Sequence, residues 1–164
     1  MQRLQAARPR AGITLMEMLV VVTLISLLAA VTFPSVTAGV DTLRLTSASD
    51  SIVSFLNAAL NRAERRQQVM EVTISQQDNS MTLRSTEPGY TKQFVMPEGV
   101  SIAAVHPRLA DDMLPRHIML YPGGVPPRVG IEIVNRKNDR RLVRIDPTTG
   151  VSQVERIAAG QEVK

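Results

Sequence analysis

An apolar run near the N-terminus constrains this chain more than any other feature. The run covers 21 residues, from position 13 to position 33, and Glu17 is its only charged residue. A helix of this length can cross a hydrocarbon core of about 30 Å. A carboxylate inside such a span is costly unless something neutralises it, so Glu17 indicates a functional group that a plain membrane anchor would not need.

The segment before the run is short and basic. Residues 1–12 contain Arg3, Arg8 and Arg10, no acidic residue, and end in Gly12. By the positive-inside rule these arginines predict a cytoplasmic N-terminus, with the rest of the chain across the membrane. A secretory signal peptide is the competing interpretation, but its apolar region spans roughly 7–15 residues and precedes a small-residue cleavage site. Residues 28–30 provide no such site, and the run here is longer.

The overall charge says little about partners. Lys and Arg number 19 against 15 Asp and Glu, and without the three arginines of residues 1–12 the balance is 16 to 15. The basic composition therefore gives no general argument for nucleic-acid binding. The chain has no cysteine, so the domain that follows the span has no disulfide and depends on its core and its partners.

An amphipathic helical pattern resumes after Pro34. Its apolar residues recur at three- and four-residue spacing and form one face: Ile52, Phe55, Leu56, Ala59, Leu60 and Ala63. The pattern predicts that residues 35–68 continue the first helix as a spine that lies on a sheet. Pro34 and Gly39 are expected to perturb this spine, because proline removes a helix hydrogen bond and glycine lowers helix propensity.

From residue 69 the hydrophobic period changes to two, which is typical of strands. Turn signals containing Gly, Pro, Asn and Asp separate seven or eight short runs, and 78–79 reads as a tight turn. The fold class is therefore predicted to be α+β, with a long N-terminal helix packed on an antiparallel β-sandwich or pair of sheets. The predicted parts are a leader (1–12), a transmembrane and assembly helix (13–34), its amphipathic continuation (35–68) and a β-domain (69–164).

The first 34 residues resemble the N-terminus of type IV prepilins and of type II secretion pseudopilins. The residue before the family's cleavage site, its Thr-Leu-x-Glu motif and a frequent helix proline are matched by Gly12, Thr14, Leu15, Glu17 and Pro34. Ile13 departs from the pattern, because the family prefers phenylalanine or methionine as the first mature residue.

The resemblance implies a processing and assembly pathway. A prepilin peptidase would cleave after Gly12 and methylate the new amine of Ile13, and the Glu17 carboxylate would pair with the α-amino group of a neighbouring subunit. Each charge would be costly alone in a low-dielectric core, so the pair would fix the register between subunits. The implied location is the inner membrane, single-pass, with the C-terminal domain in the periplasm and, after assembly, in a periplasmic pseudopilus.

The same resemblance implies the partners. They are other major and minor pseudopilins, the prepilin peptidase, the inner-membrane secretion platform and, before assembly, membrane lipid. Energy would come from a separate cytoplasmic ATPase, because no nucleotide-binding motif is recognisable in the chain.

Three segments of the C-terminal third, residues 118–124, 130–133 and 144–150, narrow the resemblance. They look like the aromatic-x-Pro-x-Gly segment, the glycine-containing strand and the closing Thr-Gly turn of H-type minor pseudopilins and FimT-type minor pilins. The leading hypothesis is a minor pseudopilin that helps export folded proteins through the outer membrane. The alternative is a FimT-type minor pilin of a type IV pilus, involved in DNA uptake or pilus assembly.

A basic cluster near the C-terminus keeps the alternative open. Flexible cationic side chains can bind phosphate groups without base specificity. Five such residues lie close together in the sequence: Arg136, Lys137, Arg140, Arg141 and Arg144. The same residues fit a solvated hairpin whose basic edge discourages pairing with other sheets. No aromatic residues alternate with them for base stacking.

Catalysis finds little support in the sequence. His106 and His117 lie near prolines, and the acidic pair 111–112 falls in a presumed polar loop. The glycine pair 123–124 is followed by prolines and not by a helix, so it is no phosphate-binding loop. We therefore expect a non-enzymatic protein with neither a metal nor a cofactor.

Overall fold

The computed structural model describes residues 14–86, 89–109 and 114–157, with only the backbone described for residues 33–38. The chain divides into two compact units, Met1–Ala38 and Gly39–Lys164. Helix α1 (Leu15–Arg66) is followed, in the described residues, by eight strands: β1 (Met70–Ser75), β2 (Ser80–Ser85), β3 (Thr91–Val95), β4 (Val100–His106), β5 (Arg116–Leu120), β6 (Gly130–Asn135), β7 (Arg140–Ile145) and β8 (Ser152–Ile157).

The strands form two four-stranded sheets. The first sheet has the order β3-β2-β1-β5 and the second has the order β4-β6-β7-β8. Every pairing between neighbouring strands is antiparallel. The predicted α+β class with an antiparallel pair of sheets is therefore confirmed.

Both sheets and the second half of α1 contribute to one apolar core. The helix contributes Leu45, Ile52, Leu56 and Ala59, each at most 2% exposed. The inward positions of the strands alternate with outward ones, so the first sheet adds residues such as Val72 and Leu83, and the second adds residues such as Ile131 and Val143. The face predicted from the three- and four-residue spacing is thus the buried face of the helix.

Helix α1 continues through Pro34 and Gly39, so neither residue interrupts it. The expected perturbation of the spine does not take the form of a helix break. A proline removes one backbone donor, and the remaining i→i−4 bonds can hold the helix on either side of it.

The predicted turn at 78–79 links the two sheets. Asn79 has φ 50°, a left-handed conformation that asparagine tolerates better than most residues. Its side-chain nitrogen donates to the Val100 carbonyl at 2.8 Å, and its side-chain oxygen accepts from the Ile102 amide at 2.8 Å. One amide group therefore ties the β1–β2 turn of the first sheet to the edge strand β4 of the second.

Replacing a buried residue of α1 should destabilise the domain much more than replacing an exposed one. Ile52 is 0% exposed, so Ile52→Ala is expected to lower the unfolding free energy by about 2–5 kcal/mol through lost burial and a residual cavity. The matched control is Ser54→Ala on the exposed side of the same helix turn, with an expected change within about 0.5 kcal/mol. Urea unfolding of the detergent-solubilised chain, followed by circular dichroism, measures both, and equal losses would contradict the core assignment.

Candidate functional site

The apolar half of α1 has the length and composition of a membrane span. The window Leu15–Thr32 has a mean hydropathy of 2.3, and none of its 18 residues is buried within the chain. At 1.5 Å per residue it extends about 27 Å, close to the thickness of a hydrocarbon core. An exposed apolar surface of this size needs an environment from outside the chain, either lipid or another protein.

Glu17 lies in the first turn of this helix, and Thr14 caps it. The Thr14 hydroxyl accepts a hydrogen bond from the Glu17 backbone amide at 3.2 Å. The order Thr14-x-x-Glu17 is a capping-box pattern, which marks a helix N-terminus in a sequence. The carboxylate is therefore at the positive end of the helix dipole, where a negative charge is favoured.

The Glu17 side chain is exposed, and no described residue forms an ion pair with it. Gly12 and Ile13, the predicted cleavage residues, lie outside the described residues. Leu15 is the first residue of α1, and Pro34 lies within it. The structure thus describes the helix that carries the carboxylate, while the predicted pairing with a neighbour's amine remains a prediction.

The hydroxyl groups of the apolar segment are bonded within their own helix. Those of Ser26 and Thr32 each donate at 2.8 Å to the carbonyl four residues earlier, and Thr23 donates in the same way to Leu19. Such back-bonding removes the need for a polar partner in an apolar surrounding. Of the polar side chains in this segment, Glu17 is the one whose charge calls for an external partner.

The C-terminal basic cluster is split by the alternation of strand β7. Arg140 and Arg144 are on one face of the second sheet. Arg141 is on the opposite face, where its guanidinium donates to the Thr46 hydroxyl of α1 at 2.9 Å. Arg136 and Lys137 lie in the turn between β6 and β7. The five cations predicted as a DNA contact therefore do not form one continuous surface.

Carboxylates offset most of the charge of this cluster. Ion pairs of 2.5–2.7 Å join Arg136 to Glu98, Arg140 to Glu132 and Arg144 to Glu155. The hydrogen bond from Arg136, together with its charge, lowers the pKa of Glu98. A phosphate would have to compete with these carboxylates for the guanidinium groups.

Glu132 is buried and contacts two basic side chains at the same time. Its side chain is 4% exposed, one oxygen lies 2.7 Å from Arg140 Nη1, and the other lies 3.2 Å from His106 Nε2. Burial alone would raise the pKa of Glu132, but the hydrogen bonds and charges of Arg140 and His106 outweigh it, so the pKa is lowered. A buried charge with two partners is a structural feature of the second sheet.

The two histidines lie on different sheets. His117 on β5 contacts Glu71 at 2.7 Å, whereas His106 belongs to the Glu132 network on the second sheet. Residues 111–112 are outside the described part of the chain. Among the described residues, no group of three or more His, Cys, Asp or Glu side chains could hold a metal ion.

The two turn motifs of the C-terminal third meet beside α1. Gly123 and Gly150 have φ of 66° and 72°, the left-handed region that favours glycine. The Gly123 amide donates to the Glu64 carboxylate of α1 at 2.8 Å. Pro126 lies 3.3 Å from where a Cβ on Gly150 would stand. These motifs therefore determine how the loops fold against the helix.

Acid should weaken the fold partly through Glu132. Because its folded pKa lies below the unfolded value of 4.5, its contribution is fully present above that value and is lost as the pH falls through the folded pKa. We expect the unfolding free energy of Glu132→Gln to fall less than that of the wild type between pH 6 and pH 3. Urea unfolding at several pH values measures this, with Glu155→Gln as the control, because Glu155 is a less buried carboxylate that is also paired with an arginine. Parallel pH curves for wild type and Glu132→Gln would contradict the assignment.

Comparison with known proteins agrees with this geometry. Residues 7–33 match the family model of the prokaryotic N-terminal methylation motif. The fold matches that of the minor pseudopilin EpsH from the type 2 secretion system of Vibrio cholerae, with a TM-score of 0.51, 13% identity and coverage of 72% of this chain and 99% of that one. No curated protein sequence matches the chain, and neither match indicates a catalytic family. The chain thus combines a prepilin-type N-terminus with the α+β fold of a pseudopilin.

Proposed function

We propose that this chain is a minor pseudopilin of a type II secretion system. The observation that carries the proposal is an exposed carboxylate in the capped first turn of an unburied apolar helix, in a chain whose fold matches that of a minor pseudopilin. The matched protein is described as part of the type 2 secretion system. The motif and the fold support a pilin-like role. The proposal goes further by assigning this role to a secretion pseudopilus and not to a type IV pilus.

In this proposal the leader of residues 1–12 keeps the N-terminus in the cytoplasm, and the apolar helix holds the precursor in the inner membrane as a single pass. Prepilin peptidase removes the leader after Gly12 and methylates Ile13. The subunit then leaves the lipid for a periplasmic pseudopilus, where its partners are other major and minor pseudopilins. The inner-membrane secretion platform is a further partner, a separate cytoplasmic ATPase supplies the energy, and the filament helps move folded proteins through the outer membrane.

Glu17 supplies the specificity of assembly. An unpaired carboxylate among apolar helices is costly, while an α-amino group from a neighbour neutralises it. A subunit that enters out of register leaves both charges unpaired, so the correct register is selected. The Thr14 cap holds the helix start that positions the carboxylate for this contact.

The alternative of a FimT-type minor pilin shares the same N-terminal chemistry. Its distinguishing feature in this sequence was the C-terminal basic cluster. Three of the five cations there are paired with Glu98, Glu132 and Glu155, and β7 alternation separates a fourth from them. The charge pattern therefore favours the secretion proposal over DNA contact at this cluster.

Neutralising Glu17 should block assembly without blocking membrane insertion. The test places a photo-crosslinking residue at Leu24 in the native host, where the otherwise unchanged chain is expected to crosslink to secretion pseudopilins. With Glu17→Gln, the amount of this product should fall at least about tenfold, because the pair that fixes the register is absent. Mass spectrometry identifies the partners. Ser26→Ala is the matched control, because it removes a hydroxyl that is bonded within the same helix and keeps the Glu17 charge, so its product should be unchanged. Recovery of pilus minor pilins in place of secretion pseudopilins would contradict the proposal.

Processing should depend on the size of residue 12. Gly12→Ala is expected to be cleaved and methylated nearly as well as the wild type, whereas Gly12→Leu should accumulate as precursor, because a bulky side chain obstructs the peptidase site. Intact mass measurement of the purified membrane protein distinguishes precursor, cleaved and methylated forms. Normal processing of the leucine variant would mean that the N-terminus is not a prepilin signal.

A further inference from the structure

A second basic site lies at the end of α1, away from the C-terminal cluster. This groove, here called the basic groove, has a volume of about 480 Å³. It is lined by the residues Ala58, Asn61, Arg62, Arg65, Arg66 and Tyr90. The arginines are spaced by three and four positions, which places them on one side of the helix.

The three guanidinium groups of the groove lack carboxylate partners among the described residues. Arg62 is held over the Tyr90 ring, with 3.4 Å between its guanidinium carbon and the ring centroid. Its Nε is buried and has no hydrogen-bond partner within the part of the chain that the structure describes. Arg65 and Arg66 are exposed. The groove therefore keeps a positive charge that the C-terminal cluster has largely lost to its own carboxylates.

Capping the helix does not explain these arginines. Basic residues in a last turn often bind the free carbonyl groups there. Here the Glu64 carbonyl accepts from the Gln67 side chain at 2.7 Å, and the Ala63 carbonyl accepts from the Gln68 amide at 3.3 Å. The Glu64 carboxylate is directed to the Gly123 amide. These two carbonyl groups and the Glu64 carboxylate therefore already have partners, so the arginines are not needed to bind them.

The lining of the groove also indicates what kind of anion it suits. A membrane-surface site combines basic residues with large apolar side chains that enter the lipid. The exposed large apolar residues of the described chain include none of the groove residues. An ionic contact with an acidic protein surface fits better, because guanidinium groups bind carboxylates through paired hydrogen bonds.

We propose that the basic groove receives a carboxylate-bearing segment of a neighbouring pilin-like subunit. This inference rests on the proposed function, since a filament brings the α1 helices of its subunits close to one another. Arg65 and Arg66 contact the partner's carboxylates directly. Arg62, fixed by Tyr90, adds its charge at the floor of the groove.

The test uses the full chain in membranes of the native host, with a photo-crosslinking residue placed either at Asn61 in the groove or at Leu24 in the apolar helix. The expected Asn61 product is a peptide of a pilin-like subunit with at least two Asp or Glu residues. Arg65→Gln combined with Arg66→Gln should reduce this product about fivefold and leave the Leu24 product unchanged. The controls Arg136→Gln and Arg144→Gln alter carboxylate-paired arginines and should reduce neither product.

The two crosslinking positions separate the two proposals. If Leu24 captures pilin-like subunits while Asn61 captures nucleic acid, lipid or a segment without acidic residues, the groove inference is overturned and the proposed function stands. An Asn61 product that is insensitive to the double substitution overturns it as well. If Leu24 captures no pilin-like subunit, the proposed function itself fails.

Discussion

One continuous helix has to satisfy two different surroundings, and the rest of the structure depends on this requirement. Within Leu15–Thr32 no residue is buried in the chain, whereas from Leu45 to Ala63 the positions at three- and four-residue spacing are almost fully buried against two sheets. The first part supplies apolar surface for other molecules, and the second supplies the helical side of a core. The unit Gly39–Lys164 therefore has its own core, while the apolar part remains available for lipid or for other subunits.

The two parts also differ in whether the chain itself provides partners for its charged side chains. In the β-domain, Glu132 is buried and the chain provides both of its partners. In the apolar helix, Glu17 has a favourable backbone position at the helix start and no described cationic partner. A charge that the chain neutralises internally contributes to the fold. A charge without an internal partner is costly in an apolar surrounding, which is why Glu17 carries the assembly role in the proposed function.

The sequence predicts the fold well, because its patterns are local. The change of period from 3.6 to 2 near residue 69 separates helix from strands, and the turn at Asn79 is visible from residue type alone. Strand order is set by pairings between distant segments, such as β1 with β5, which a single sequence does not show. The Thr14 cap is also local, because the order Thr-x-x-Glu is a helix-start pattern as well as part of the prepilin motif.

The candidate sites show the same contrast between local sequence patterns and contacts between distant segments. Glu17 was found because a charge in an apolar run is conspicuous in sequence. The five C-terminal cations were grouped because they are close in sequence, but the period of two places Arg141 on the opposite face from Arg140 and Arg144. Their partners Glu98 and Glu155 come from other turns and strands, so the loss of free charge could not be read from the local run. The basic groove is not visible in the local sequence, because Tyr90 joins the arginines of α1 from the loop before β3.

The internal hydrogen bonds of Thr23, Ser26 and Thr32 have a consequence for movement between environments. A helix whose hydroxyl and backbone groups are already satisfied can exchange lipid neighbours for protein neighbours without making or breaking any of its own polar contacts. Along most of its length, this helix surface therefore offers lipid and protein neighbours the same apolar contacts. In the proposed function, Glu17 sets the direction of this exchange, because lipid and a protein neighbour offer its carboxylate different chemistry.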